Sequence, residues 1–531
     1  MPDEISADRV TAIATAARVP LAPIDAERIS CAYGCALRRC EDRSVAGNRA
    51  GKFCRRAAAG DREVKDPAEL TLAEVAGALR RRTFSSAELT RWMLERIGRW
   101  QPIINAFVRI EEDEALAAAK RADRTLARGK AKGALYGVPL AHKDMYYVKG
   151  KLSECGSKVR KGWIAPATST VLMRLAVAGS FRIGALHMSE FAYSPTGHNS
   201  YLGPARNAWD PKCITGGSSS GSATAVAARL VPAALGSDTG GSIRLPAHFC
   251  GVTGFKATYG RVSRANALPL SFTLDTVGPL AVSAEDAGLI MGIIAGPDPL
   301  DPTTLGAPAW NAKRARASPK GLRIGVPARF YVDDLESDIA SALDSTIVVL
   351  RKLGAKISKI ELPDQTVVSA AALIVLAVEA TSAHAPWLRT RAADYGPQVR
   401  NRLQNGLAYG AVEYLEALRW RGPALAAHLD AIGDVDVVIA PASRSVAPTI
   451  VATDLGGMPE AEAAIQAITR FMRPTNFLGL PSLVVPAGQS KSGLPIGIQL
   501  IGRPFGDETL IALGRAFQAV TNHHRRIPAL P

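Results

Sequence analysis

From Leu70 to the C-terminus, short apolar runs of strand length alternate with stretches of helical period, and this alternation restricts the chain to a sheet covered by helices. In "ELTLAEVAGALRRRTFSSAELTRWMLERIGRW", Leu70, Leu72, Val75, Leu79, Leu89, Met93 and Ile97 recur at helical spacing. Ser85 and Ser86, just ahead of Glu88, predict a capped start to the second of two helices. "EDEALAAAKRADRTLARG" and "SAEDAGLIMGIIAG" read as further helices. "YGVPLAHKD" reads as a buried strand delivering Lys143 at its end, with "GLRIGVPARF", "DVDVVIAPA" and "LPSLVVPAG" as later strands. The expected class is α/β, a large mixed twisted sheet with helices on both faces. No repeat or long linker interrupts the pattern after residue 65, so residues 66–531 are read as one domain. Residues 1–65 are read as a basic, Cys-containing and poorly ordered N-terminal extension.

Of the 531 residues, 47% are hydrophobic and 21% charged, the balance of a soluble globular protein. No apolar run reaches the roughly 18–20 residues of a spanning helix. "GLIMGIIAG" and "AALIVLAVEA" are core-sized, and no membrane association is expected. The start "MPDEIS" lacks a basic region followed by an apolar one, so a cytoplasmic location is expected. The net charge of +16 raises nucleic-acid binding, but Arg28 to Arg56 holds eight Lys/Arg against Glu41 and Asp42. With the charge so localised and no basic–aromatic recognition motif, no specific nucleic acid is expected as a partner. Cys31, Cys35, Cys40 and Cys54 share that segment in a spacing that fits no common zinc pattern, with no His nearby, so no metal is expected. Cys155, Cys213 and Cys250 are scattered singly, as buried small hydrophobes are.

Two glycine–serine blocks carry the chemistry. "ITGGSSSGSATAVAARL" (Ile214 to Leu230) turns helical after Ala223, unlike a flexible linker, and has Ser222 where a phosphate-binding loop needs Lys. "GSDTGGSIRLPAHFCG" (Gly236 to Gly251) sets two glycines before Ser242, a turn that exposes successive N–H groups. The amides of Thr239, Gly240, Gly241 and Ser242 are the expected oxyanion hole, and Ser242 is the expected nucleophile. His187 and His248 are read as structural. Ser219, Ser220 and Ser222 are expected to cap a helix start, and Asp238 and Arg244 to hold the Ser242 loop.

The ordered blocks "GVPLAHKD", "GGSSSGSA", "GSDTGGSIRLPAHFCGVTGFKATYGRVS", "LDTVGPLAVSAEDAGLIMGIIAGPDPLDPT" and "GLPIGIQLIGRPFGDETLIALGRAFQ" together resemble the amidase signature hydrolases, from about Asp66 onward. The resemblance implies the amidase signature fold and a Ser-Ser-Lys triad. It assigns the base to Lys143, the bridging serine to Ser218 and the nucleophile to Ser242, with a cis peptide at Gly217–Ser218. It implies hydrolysis of a carboxylic acid amide to acid plus amine or ammonia through an acyl-enzyme, with no cofactor. Lysine acts as a base only when neutral, and the apolar "YGVPLA" suits that, unless Asp144 points inward.

One branch of that family is the glutaminase-type A subunit of a tRNA-dependent amidotransferase, where an Asp seven residues before the Asn of the N-x-x-G-L-P block grips glutamine. Here the block starts at Asn476 and Thr469 stands in the Asp position. The expectation is therefore a stand-alone amidase acting on a small-molecule amide, with room for a homodimer but for no other partner. The glutaminase-type component, or a carbamate or ester hydrolase on the same triad, is the alternative. "EFAYSPTGHN" matches a substrate-facing region of relatives, which makes Ala192 and Tyr193 the expected substrate contacts. His187 replaces a small polar residue of the family, a departure that bears on specificity and not on the triad.

Overall fold

The computed structural model describes residues 66–454 and 459–529. The extension 1–65, with Cys31, Cys35, Cys40 and Cys54, lies outside the described residues. The first two helices run Leu72–Arg81 and Ser86–Ile104. Each opens with a reciprocal cap: Thr71 with Glu74 and Ser85 with Glu88 exchange side-chain and backbone hydrogen bonds. Ser85 is the cap, and Ser86 is already inside the helix.

Eleven strands follow among the described residues: β1 (Phe107–Ile110), β2 (Pro139–Lys143), β3 (Phe181–Leu186), β4 (Ala233–Asp238), β5 (Thr253–Lys256), β6 (Thr276–Ala281), β7 (Arg323–Pro327), β8 (Lys356–Ile360), β9 (Val437–Pro441), β10 (Ser482–Gln489) and β11 (Pro495–Gly502). They form two sheets where the sequence suggested one. Eight strands run in the order β4-β6-β5-β10-β11-β9-β7-β8, parallel only at β9/β7/β8, and three in the order β1-β3-β2. No ladder joins β2 to β4. Side chains bridge them instead: Leu235 N–H donates to His142 Nδ1 (3.2 Å), and Tyr146 Oη donates to the Gly236 carbonyl (2.6 Å). This side-chain seam sets the end of β2 beside the end of β4.

The large sheet is covered on both faces, as β10 shows. A side chain at Gly514 of the helix Asp507–Ala519 would strike Leu483 and Val485, whereas one at Gly497 of β11 would strike Val484 and His248 of the helix Arg244–Cys250. Alternate β10 residues thus meet helices on opposite sides, which is why the strand is almost continuously apolar. "AALIVLAVEA" lies within one helix of 27 residues, Gln365–Arg391. It is long and apolar enough to cross a membrane, but more than half of its most apolar stretch is buried inside the fold, as in a core helix. It packs on the helices Ala411–Ile432 and Arg473–Phe477. Cys155, Cys213 and Cys250 are all buried.

The helix Ser220–Ala227 is pressed onto the small sheet so closely that a Cβ at Gly221 would lie 2.4 Å from the Ala106 carbonyl oxygen and 2.5 Å from the His187 nitrogen. In an ordinary helix interior Ala is better than Gly by about 1 kcal/mol. Here the clash is with backbone, and the sign reverses. Gly221→Ala is expected to cost about 1–3 kcal/mol, read as a lower midpoint in denaturant melts; an unchanged or higher midpoint contradicts this packing.

Candidate active site

The fold brings together the three residues that sequence placed far apart. Lys143 closes β2, Ser218 lies just before the helix Ser220–Ala227, and Ser242 sits in the turn between β4 and the helix Arg244–Cys250. Lys143 Nζ is 2.7 Å from Ser218 Oγ and 2.8 Å from Ser237 Oγ. Ser219 N–H donates to the Ser242 carbonyl (3.3 Å), which ties the two serine segments together. Ser189 N–H donates to the Ser218 carbonyl (3.2 Å), and the Gly217–Ser218 peptide is cis. Ser218 is fully buried, and Ser242 keeps 8% of its surface.

Burial pulls the Lys143 ammonium down to about 7, against weaker upward pulls from Asp275, Asp238 and Cys155. Asp144 does not add to them. Its carboxylate turns away to Arg109 (2.9 Å) and accepts the N–H groups of Glu154 (3.1 Å) and Cys155 (3.2 Å). Ser237 was missed in the sequence. Its signal was the strand period, since in β4 it faces opposite to its neighbour Asp238.

Asp238 and Arg244 hold the Ser242 turn, as expected. Both are fully buried, and the guanidinium grips the carboxylate at two points, each 3.0 Å. Burial alone would raise the Asp238 carboxyl; Arg244, Lys256 and Asn476 outweigh it and hold it well below the usual carboxylate range. Asp238 also accepts the N–H of Gly241 (2.9 Å), Ile243 (3.2 Å) and Arg244 (3.3 Å). This corrects one element of the expected oxyanion hole. The Gly241 amide is spent on Asp238, leaving those of Thr239, Gly240 and Ser242. Gly241 is needed for its conformation, φ +115°, and for space, because a Cβ there would lie 2.6 Å from Met472. Thr239 Oγ1 donates to Asp275 (2.6 Å) and anchors the turn from its other end.

The neighbouring serines differ from expectation. Ser219 makes no side-chain cap; its hydroxyl bridges the Ser237 backbone at 3.3 Å, Ser222 Oγ donates to the Leu235 carbonyl (3.1 Å), and Ser220 Oγ meets His187 Nδ1 (3.1 Å). With β4 so near, tertiary partners displace local capping. His187 and His248 are both buried, lowered to about 4, and bonded to the fold: His187 Nε2 to Gly203 (2.9 Å), His248 Nε2 to Ser445 (3.0 Å). Ala192 and Tyr193 belong to the segment that packs on the Ser218 turn through Ser189. Ala192 takes φ +62°, and the Tyr193 ring lies 4.4 Å beneath the Arg402 guanidinium. Thr469 Oγ1 donates to the Ile465 carbonyl (2.6 Å) and accepts from Arg473.

The profile of the Amidase family matches residues 88–511. The A subunit of glutamyl-tRNA(Gln) amidotransferase from Geobacter metallireducens is 38% identical, over 86% of this chain and 98% of its own. Among solved structures, a complex described as vestigial, which reveals the origins of an s-triazine catabolic enzyme, aligns with a TM-score of 0.79 at 33% identity, over 85% of this chain and 98% of that one. The A subunit of glutamyl-tRNA(Gln) amidotransferase from Thermotoga maritima aligns with a TM-score of 0.74 at 30% identity, over 88% and 99%. These relatives overturn the partner expectation. Full-length likeness to one component of a tRNA-dependent assembly does not fit a lone enzyme on a small-molecule amide with no nucleic acid and, at most, a second copy of itself. The glutaminase-type alternative is thereby better supported than the stand-alone reading drawn from Thr469, a single side chain set against similarity over most of the chain.

The buried Asp238–Arg244 pair yields a stability prediction. Arg244→Met leaves the carboxylate unpaired and is expected to destabilise the protein by about 3–5 kcal/mol in denaturant unfolding. A loss below about 1 kcal/mol contradicts the role assigned to the pair.

Proposed function

This chain belongs to the amidase family, and we propose that it hydrolyses a carboxylic amide through Lys143, Ser218 and Ser242, releasing ammonia as the glutaminase-type A subunit of a tRNA-dependent amidotransferase. The observation that carries the chemistry is the 2.7 Å contact between a desolvated lysine and a serine, with no carboxylate among the described residues in contact with Nζ. The full-length likeness to the Geobacter and Thermotoga proteins supports the biological role. A cytoplasmic site of action, where charged tRNA is found, belongs to the same proposal.

Neutral Lys143 takes the proton of Ser218 as Ser218 takes that of Ser242, and Ser242 Oγ attacks the amide carbonyl. The tetrahedral oxygen is received by the N–H groups of Thr239, Gly240 and Ser242, already aimed by Asp238 and by the Thr239–Asp275 bond. The proton then returns through Ser218 to the amide nitrogen, the C–N bond breaks and ammonia leaves. Water enters, gives its proton to the same relay and splits the acyl-serine ester. Ala192 and Tyr193 line the acyl side in this proposal. Thr469, bonded back to its own helix and to Arg473, is not part of the glutamine grip.

Because Lys143 must be neutral, kcat/KM for glutamine is expected to rise with pH along a single limb centred near 7, where burial places it. Lys143→Ala and Ser242→Ala are each expected to lose at least about 10⁴-fold in kcat with the fold intact by circular dichroism. Near-normal turnover by folded Ser242→Ala contradicts the chemistry. For the role, the full-length protein purified from its host is expected to bring further subunits and to form amidated tRNA from glutamine and glutamyl-tRNA. A chain that purifies alone and leaves glutamine intact contradicts it.

A further inference from the structure

The sequence windows 80–82 and 120–132 hold nine Lys/Arg against one carboxylate, Asp123, an excess equal to half of the net charge of +16. Distant in the chain, the two windows meet in the fold. Arg82 donates to the carbonyls of Leu126 and Ala127 (2.8 Å each), and Arg80 to that of Ala134 (2.7 Å). The end of the helix Leu72–Arg81 is thereby fastened to the end of the helix Glu112–Ala127 and to the loop after it. Asp123 faces inward, its carboxylate oxygens accepting the N–H groups of Ser86 (2.7 Å) and Ala87 (3.0 Å). The remaining cations, Arg81 and those from Lys120 to Lys132, are exposed, and among the described residues none of them forms an ion pair.

Helix ends alone do not account for this face. The negative end of a helix favours cations in its last turn, which covers Arg80, Arg81 and Arg124. Lys120 and Arg124, however, stand one turn apart, and Arg128 follows a turn later at the cap. Like charges stacked in this way cost the helix stability. Thr83, Ala127, Gly129 and Gly133, exposed beside these cations, are small. They give a bilayer no apolar side chain to take in and a free base no ring to stack on. Closely spaced charges without a stacking platform fit a regular array of phosphates, as on the backbone of helical RNA.

We propose that this basic face is a docking surface for tRNA, held through its phosphate backbone and not its bases. The choice of tRNA among helical RNAs rests on the role proposed above. The surface goes beyond that role, because a tRNA-dependent assembly could hold its tRNA on other subunits, whereas here the contact lies on this chain. It is also separate from the catalytic groups. The loop carrying Lys130 and Lys132 leads into the start of β2, and Lys143 stands at the far end of that strand, about 13 Å on. Counting charge along the sequence concealed the face, since its two halves join only in the fold.

The test follows binding of a fluorescein-labelled tRNA(Gln) transcript by anisotropy across a salt series, using the full-length protein with any subunits that purify with it. The triple variant Arg124→Gln, Arg128→Gln, Lys132→Gln is expected to bind about tenfold more weakly or worse at moderate salt. The slope of log K against log salt is expected to flatten by about 2, since each lost phosphate contact removes about 0.7–0.9. A comparator, Lys352→Gln, Lys356→Gln, Lys359→Gln, removes the same charge from another exposed region and is expected to bind as the wild type does. Both triple variants are expected to keep wild-type turnover of glutamine, which shows them folded. No binding of tRNA by the wild type, an unmoved slope in the first variant, or an equal loss in the comparator overturns the proposal. So does a first variant that loses binding to phosphatidylglycerol vesicles while keeping tRNA. Glutamine left intact by the wild type contradicts the catalytic reading instead, and the tRNA slopes still decide this surface.

Discussion

Lys143 is buried at the end of β2 with two hydroxyls in contact with its Nζ, and burial brings its ammonium down to about 7. The chemistry of the site follows from that desolvation, and much of the surrounding structure protects it. The two carboxylates nearest in sequence to the relay are engaged elsewhere, Asp144 by Arg109 and Asp238 by Arg244. Either one turned onto Nζ would hold the lysine charged and useless as a base. Lys256 makes the contrast plain. Burial lowers it to about 7 as well, but its Nζ lies on the carbonyls of Leu480 (2.7 Å) and Ala257 (3.1 Å), which have no proton to give. A depressed lysine becomes a base only where a hydroxyl meets it.

The second constraint is positional. Ser242 sits on a turn whose amides must point outward, and the Asp238–Arg244 pair draws the other amides of that turn inward. A buried ion pair is a poor source of net stability unless its remaining donors are met. Here Arg244 also reaches Asn476 (2.6 Å), the Met472 carbonyl (2.9 Å) and Thr475 (2.5 Å), so the turn is fastened to the segment ahead of β10. Close approaches at Gly217, Gly221 and Gly241 bring the pieces near enough for these bonds to form.

What the sequence revealed is what is local. The capped helices, the strand ending on Lys143 and both serine turns follow from period and turn chemistry within short windows. Resemblance then joined Lys143, Ser218 and Ser242 across the chain. What stayed hidden depends on what folds opposite. Ser237 contacts Lys143 only because β2 docks beside β4. Ser219, Ser220 and Ser222 abandon capping because β4 and His187 are in reach, and the Gly241 amide is lost to Asp238. The division into two sheets is set by a seam of side chains that leaves no period in the sequence. Thr469 carries less weight for a different reason: a single substituted position says little beside 38% identity over 86% of the chain with an amidotransferase A subunit.

The central claim is that Ser242 carries the acyl group while Lys143 and Ser218 move its proton. Peptide mapping by mass spectrometry, after reaction of the full-length protein with a slowly deacylating p-nitrophenyl ester, tests it most directly. The account predicts one acyl adduct, on Ser242, lost in Ser242→Ala and formed far more slowly in Lys143→Ala. An adduct on Ser218, on Cys155 or on another residue, or one that forms as fast without Lys143, would contradict it.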